Sequence, residues 1–559
     1  MSKKKLVVIG DELDGIRVAA RAVRQNPEIE AKVLMPRGRF SFDRYILAYF
    51  IQNADEDVFS FMESVMESYK VQYGIDILTH LKVIDILPLE KKVVFEDLKE
   101  GVSSAVEYDK LVIATGVVPV VPEVEGINLG NVVFLTSLDD IMAIQEGIES
   151  GLIKKAVVVG ASMAGVYTAE SLWKRGIKVT LVEKGPQILP ELDMEMAELV
   201  SRQMGHKGVE VLVGEKVLSL IGNAKGDVVE VHTPEHIIPA DLVIWLEDIK
   251  PDVEIAKKAG IIIGDSGAIE VDKYMETNVP GIYAVGSCVQ RIHHITGKPV
   301  CLYKQAVDDM AFYVVSENIA GSNDCSLEKG VLGTISIQAF DLGIAKTGLS
   351  LQQAKEEGYE AETAIISVYD DKYACGSSYR ENVVKLVVDR SNGKILGAQC
   401  VGGVLSDKLV DAVAAVISMG GTVKDLAMLD VTRHFSYFMN LHPLSLVAHV
   451  MLNKLEGKFK GISPLELNDI MRSEEVILLD VRTPSEFKMG TLPGAINIPL
   501  EELEARKDEL DRQRNIVLIS ERGRRAYLAF IKLRQMGFER LSVLDGGLLV
   551  YPFASGVDM

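Results

Sequence analysis

Lys155-Ala-Val-Val-Val159, Gly160-Ala-Ser162-Met-Ala-Gly165 and Val166-Tyr-Thr-Ala-Glu-Ser-Leu-Trp-Lys-Arg175 follow one another without a break. The first stretch is continuously apolar after its lysine and reads as a strand buried on both faces. The second is a glycine turn and the third has helical character. A strand, a glycine turn, a helix and then a second apolar run, Lys178 to Val182, is how a parallel, doubly wound sheet begins. The outer glycines keep side chains away from a helix N-terminus, where backbone N–H groups and the helix dipole favour a pyrophosphate. Glu183 ends the next strand, at about the distance where an acid would hold the adenosine ribose hydroxyls. The same acid repels a 2′-phosphate, so Gly160, Ser162, Gly165 and Glu183 point to NAD(H) rather than NADPH. A turn that merely packs is the other reading of the same residues.

Upstream the pattern repeats: Lys5-Leu-Val-Val-Ile9, then Gly10-Asp11-Glu12-Leu13-Asp14-Gly15, then a helical run from Ile16 to Gln25 and a strand-like run from Ala31 to Leu34. This turn has three acids between its outer glycines. Two like charges about 4 Å apart repel by roughly 4 kcal/mol at an effective dielectric of 20, and by much less if the side chains point outward. Met35 stands where a ribose-binding acid would be expected, and it accepts no such hydrogen bonds.

Downstream, Thr334 to Asp389 alternates apolar and polar residues with turns expected at Gly343, Gly348 and Asn392-Gly393, which reads as an antiparallel sheet. Helices are expected from Ser406 to Gly420 and from Leu444 to Leu455. Asn453 to Gly461 reads as a linker. A small α/β module follows from Ser463, with buried strands at Val476 to Leu479 and Ile516 to Ile519.

The chain has 559 residues, enough for several cores, and a globular composition of 48% hydrophobic and 25% charged residues. Its net charge of −20 repels a phosphate backbone and argues against nucleic acid as a partner. No run is long and apolar enough for a membrane span. The five cysteines, Cys288, Cys301, Cys325, Cys375 and Cys400, form no CxxC pair and fit reduced thiols in a cytoplasm. They and the histidines, of which only His293 and His294 are adjacent, show no metal-ligand spacing, so no metal site is expected.

The order of several longer motifs carries a resemblance. Tyr108-Asp-Lys-Leu-Val-Ile-Ala114-Thr115-Gly116, Asn278-Val-Pro-Gly-Ile-Tyr-Ala-Val285-Gly286, Phe340-Asp341-Leu342 with Thr347-Gly348, and Ile395-Leu-Gly-Ala-Gln399 resemble the pyridine nucleotide-disulfide oxidoreductases. More narrowly, the chain is similar to coenzyme A-disulfide reductases and NADH-dependent persulfide or polysulfide reductases fused to a rhodanese domain. The resemblance implies two interleaved Rossmann-like nucleotide-binding domains, an FAD-type one (1–150 and 277–325) and an NAD-binding one (151–276). It implies next an α+β dimerisation domain (326–452), a linker (453–462) and a C-terminal α/β rhodanese-like domain (463–559). It also implies a homodimer with a shared active site, and places Gly10, Gly15, Thr115, Gly116, Gly286 and Ser287 at an FAD site. Ser287 stands where the family has an aspartate against the ribityl chain.

Against that resemblance, the nucleophiles are missing. The family's redox cysteine lies in a segment that here reads Ser41-Phe42-Asp43-Arg44-Tyr45-Ile46-Leu47-Ala48-Tyr49, so Tyr45 holds its position. A phenol forms neither a disulfide nor a persulfide; Tyr45 otherwise reads as packing. The family's partner-facing tyrosines fall near Cys375-Gly376, Arg433 and Tyr437. The rhodanese frame is kept in Leu479-Asp480-Val481-Arg482, Glu486-Phe487, Gly490 to Pro499 and Asp545-Gly546-Gly547, but its loop reads Ser520-Glu521-Arg522-Gly523-Arg524-Arg525, with serine at the cysteine position. The loop amides with Arg522, Gly523 and Arg525 suit an anion, though an arginine-rich helix start is also a common solvated surface. Ser41, Arg21 and Arg24 fall near the family's coenzyme A region. Cys288 reads as a small buried hydrophobe or a redox thiol, and Cys375 as a loop thiol.

Two functions therefore stand side by side. One is an NAD(H)-binding regulatory or structural subunit, partnered by its own copy or another protein, without cysteine-based reductase or sulfurtransferase activity. The other is an FAD-dependent NADH oxidoreductase passing electrons directly from the flavin to an acceptor.

Overall fold

A computed structural model describes residues 3–553 apart from 39–42, 55–57, 303–304, 322–324, 370–380, 404, 433–440 and 474–475. The chain divides into two compact units, residues 1–186 with 208–333, and residues 187–207 with 334–559.

The first unit is built twice from one plan. Lys4–Ile9 lies at the centre of a parallel sheet, between Lys110–Ile113 and Ile29–Leu34, with Ile282–Ala284 and Asp76–Leu78 at the edges. Lys155–Val159 is likewise flanked by Lys178–Glu183 and Leu242–Trp245, with Glu210–Val213 and Val132–Val133 outside. Each parallel sheet has a three-stranded antiparallel companion: Leu81–Leu87, Lys92–Asp97 and Ser103–Glu107 for the first, and Ser219–Gly222, Val228–His232 and Ile237–Pro239 for the second. Past their leading lysines the central strands are apolar because both faces are covered, and Val157, Val158 and Val159 are almost wholly buried. The helices Leu13–Gln25 and Met163–Lys174 leave directly from the two glycine turns. Both glycine turns thus sit at the carboxyl ends of central strands, where open parallel sheets bind ligands.

The second unit contains the expected antiparallel sheet, ordered Ile335–Ala339, Leu342–Gly348, Ile395–Gly402, Glu381–Asp389, Ala361–Tyr369. Gly343 is not a turn. It lies inside a strand opposite Gly402, and the chain reverses instead at Phe340 and Asp341, both with positive φ. Beside this sheet pack the helices Ser406–Ser418 and Pro443–Leu455. The segment expected to be a linker begins within that last helix: Asn453–Leu455 complete it, and Lys454 is buried. The C-terminal module is a parallel sheet ordered Gly461–Ile462, Leu541–Leu544, Asn515–Ile519, Val476–Asp480, Ile496–Asn497. Leu479, Leu518, Ala529 and Phe530 fill one side of it, and Leu467, Ile519 and Leu544 the other. No helix among the described residues is long and apolar enough to cross a membrane.

Candidate functional site

At the second turn, Gly160 has φ +97°, and a Cβ there would stand 2.8 Å from the Glu247 backbone nitrogen. A Cβ on Gly165 would fall on the Gly160 carbonyl. Both positions therefore require glycine. Ser162 is the N-cap of Met163–Lys174 and makes no side-chain cap bond, so its hydroxyl does not compete for the first amides of that helix. The Glu183 carboxylate accepts hydrogen bonds from the Ala161 N–H at 2.7 Å and the Gly185 N–H at 2.7 Å, which fixes it beneath the turn. A side chain held by two amides in this way is preorganised at the strand end. These four residues fit an adenine dinucleotide.

The first turn is arranged differently. A Cβ on Gly10 would fall on the Ala114 carbonyl, and one on Gly15 would meet Val8 at 2.7 Å, so close packing alone accounts for both glycines. Gly116 and Gly286 come from separate strand ends and have φ of +68° and +81°. At each of them the space a Cβ would take is already filled by the carboxyl of Glu12. Asp11 and Asp14 are buried rather than outward-pointing. Glu12 Oε2 is buried without a hydrogen-bond partner. Burial first, and then Asp14, push the Glu12 carboxyl up to about 8, against the pull of the Ser287 backbone amide. Met35 is wholly buried, and the Thr115 hydroxyl donates to the Asp252 carbonyl at 2.6 Å. The sequence singled out the three acids of this turn but not which of them enters the crevice, because the space Glu12 fills is left by two glycines more than one hundred positions away.

Tyr45 lies in the first turn of the helix Arg44–Gln52, which Asp43 caps by accepting the Tyr45 N–H. This helix packs on Met163–Lys174. The Tyr45 and Tyr167 rings are 6.4 Å apart, and Arg175 donates to the Ile51 carbonyl at 3.0 Å. Tyr45 is thereby placed beside the helix of the second glycine turn. Arg44, also unanticipated, donates to the Leu246 carbonyl at 3.1 Å, and burial draws its guanidinium down to about 10. Arg21 is engaged by Glu317 at 2.6 Å and stacks on Tyr313. Ser41, Cys375, Arg433 and Tyr437 lie outside the described residues.

In the second unit, Ser520 follows the central strand Asn515–Ile519, buried to 1% exposure, with its hydroxyl oxygen accepting the Ala526 N–H at 3.2 Å. Gly523, at φ +82°, caps the helix Arg524–Gln535. The arginines expected to draw an anion face carboxylates of the chain itself. Arg525 pairs with Glu486 through both oxygens, holding that acid down at about 2; Arg522 pairs with Glu381 at 2.6 Å. Arg482, on the neighbouring strand end, bonds Asp480 and Glu521. Burial pushes both the Cys288 and Cys400 thiols up to about 12, so neither is a ready thiolate. Among the described residues no cluster of three or more His, Cys, Asp or Glu is placed to hold a metal.

Two glycine-turn dinucleotide folds, an antiparallel sheet domain and a rhodanese-like module define a nucleotide-dependent oxidoreductase architecture. The chain belongs to the pyridine nucleotide-disulphide oxidoreductase family, whose model matches residues 4–298. The dimerisation domain of that family matches residues 336–437 and a rhodanese-like domain matches 463–551. The chain is 32% identical to an NADH oxidase of Methanocaldococcus jannaschii, over 81% of this chain and 100% of the relative. It is also 32% identical to a CoA-dependent NAD(P)H sulfur oxidoreductase of Pyrococcus furiosus, again over 81% and 100%. Among solved structures, the NAD-dependent persulfide reductase of A. fulgidus superimposes with a TM-score of 0.89 at 33% identity, covering 98% of this chain and 100% of that one. The reduced CoADR-RHD of Bacillus anthracis gives a TM-score of 0.90 at 29% identity, over 99% and 98%. The family to which this chain belongs comprises FAD- and NAD(P)H-dependent disulfide and persulfide reductases, here joined to a rhodanese domain.

Proposed function

We propose that this chain is an NAD(H)-binding homodimer that lacks cysteine-based disulfide reductase and sulfurtransferase activity and serves as a regulatory or structural subunit. One observation carries the reading: both nucleophile positions hold oxygen, at Tyr45 and Ser520, while Cys288 and Cys400 are buried thiols. A phenol and a buried serine hydroxyl form no persulfide. NAD(H) would be held by the amides behind Gly160 and Ser162, with Gly165 admitting the close backbone approach and Glu183 at the ribose. When bound it supplies a hydride. At the first turn, Glu12 and Met35 support a site that does not fit FAD, so no electron path through flavin is assigned. Purified full-length protein is expected to quench or shift NADH fluorescence on titration, to leave coenzyme A disulfide unreduced, and to transfer no sulfur from thiosulfate to cyanide. Turnover of either sulfur substrate would overturn the proposal.

The second reading, direct flavin chemistry, is favoured by the retained second turn, since a hydride donor site invites an acceptor, and by the M. jannaschii relative being called an NADH oxidase. A yellow protein whose flavin absorbance bleaches with NADH would establish it; a colourless protein that still binds NADH would exclude it.

A further inference from the structure

Three separate parts of the chain converge on Glu12. It leaves the first glycine turn as N-cap of Leu13–Gln25, in extended conformation, and its side chain makes no cap bond. Its Oε1 lies in the space a Gly116 Cβ would occupy, and its Oε2 in that of Gly286. The glycines that would open the crevice to a ligand's phosphates thus open it to a side chain of the chain's own turn. The second observation is independent of the first: Oε2 is buried with no partner. A carboxyl oxygen left so exposes an unmet acceptor, which is costly unless the site is built around it or the acid keeps its proton. Glu12 faces Asp11, Asp14, Asp43 and Cys288, and these surroundings favour the protonated form. A neutral carboxyl excludes by volume rather than by charge.

We propose that Glu12 is the resident occupant of the first dinucleotide crevice, standing where a pyrophosphate would lie, and that this side chain is the steric bar to FAD, with Met35 only failing to hold its ribose. The inference rests on the reading above that the chain carries no flavin, and it adds the cause. Removing the side chain empties the space between Gly116 and Gly286, whereas glutamine keeps the volume and discards the ionisable group. At an N-cap, glycine substitutes at little cost to the helix.

The test uses the full-length wild type with Glu12→Gly, Glu12→Ala and Glu12→Gln, each titrated with FAD by fluorescence quenching and, separately, with NADH. The expected result is weak FAD binding by wild type and Glu12→Gln, and binding at least about tenfold tighter by Glu12→Gly and Glu12→Ala. Stoichiometric FAD in the wild type overturns the assignment. So does tight FAD binding by Glu12→Gln, which would make charge and not occupancy the cause. Glu12→Gly and Glu12→Ala that both bind NADH normally and still refuse FAD overturn it as well. FAD uptake that rises in Glu12→Gly without NADH binding in any variant supports Glu12 as the occupant while overturning the NAD(H) reading.

Discussion

An acid placed among other acids, out of reach of water, keeps its proton well above the usual carboxylate range, and that has a thermodynamic consequence at Glu12. The unfolded chain ionises this residue near the ordinary glutamate value of 4.5, whereas the folded chain holds the proton to about 8. Between these values the folded state binds more protons than the unfolded one, so the contribution of Glu12 to stability falls as pH rises from about 4.5 to about 8 and then levels off. Glutamine mimics the protonated acid and does not titrate. Glu12→Gln is therefore expected to match wild type in thermal unfolding near pH 4.5 and to exceed it by on the order of 5 kcal/mol above pH 8. Equal pH profiles would mean that Glu12 is solvated rather than enclosed. Ser520 gives a contrasting case. Its oxygen already sits on an amide at the start of a helix, a position that stabilises anionic sulfur in a cysteine. Ser520→Cys supplies sulfur but leaves Arg522 and Arg525 paired with Glu381 and Glu486. The variant is expected to react with iodoacetamide only slowly, because the site is buried, and to show no sulfur transfer from thiosulfate.

The helix Met194–His206 depends on a buried ion cluster that no local pattern announces. Lys385, fully buried in the strand Glu381–Asp389, reaches Asp193 at 2.7 Å and Glu195 at 2.6 Å; Gln399 and the Leu351 amide complete Asp193. The two acids hold the lysine's proton despite its burial. Lys385→Ala strands two carboxylates in the interior and is expected to cost about 3–5 kcal/mol, whereas Lys385→Met together with neutralisation of both acids costs far less. Denaturant unfolding of the single and triple variants measures the difference. The contrast between this cluster and the glycine turns shows what a sequence discloses. Lys155–Val159 with its turn and helix was legible because strand burial, glycine conformation and helix start are all local properties of adjacent residues. Gly343 was misread as a turn because glycine is permissive in either role, and only the pairing with Gly402 decides it. The helix Leu351–Glu356, six residues long with a Ser350 capping box, escaped notice because so short an element shows little periodicity. Lys385 interrupts the apolar run Val383 to Val388, but nothing adjacent to it names its partners, which come from a segment nearly two hundred positions earlier. The candidate site divides the same way: Gly160, Gly165 and Glu183 could be read in order, but the direction of Glu12 could not.

Composition made Asn453 to Gly461 look like a free tether, since it is rich in lysine and glycine, yet the structure ties the C-terminal module down within this stretch. Lys454 Nζ lies 2.7 Å from Asp545 and 2.8 Å from Glu362, and donates to the Thr363 carbonyl at 2.6 Å. Asp545 belongs to the rhodanese-like module and Glu362 to the antiparallel sheet, so one ammonium group joins the two. Arg202 adds a second tie by donating to the Leu549 carbonyl at 3.1 Å, and Arg522 a third through Glu381. The Lys454 ammonium is fully enclosed, so its attraction to two carboxylates must exceed the desolvation that opposes it, and its proton is held above the usual lysine range. Lys454→Ala leaves buried Asp545 without its counter-ion and Glu362 with only the exposed Arg390 at 3.7 Å, and is expected to cost about 3–5 kcal/mol. That loss exceeds what the Arg202 hydrogen bond and the part-buried Arg522–Glu381 pair restore, so the module should detach before its own core unfolds. Limited proteolysis of the full-length variant is expected to cut within residues 456–463 and release a folded C-terminal fragment, under conditions where the wild type stays whole. Lys454→Arg keeps the charge and should resist cleavage better than Lys454→Ala, although its planar fork cannot reproduce three convergent bonds from a single nitrogen. Equal protection of Lys454→Ala and wild type would show that apolar packing alone, including Gly546 against Ile365, seats the module.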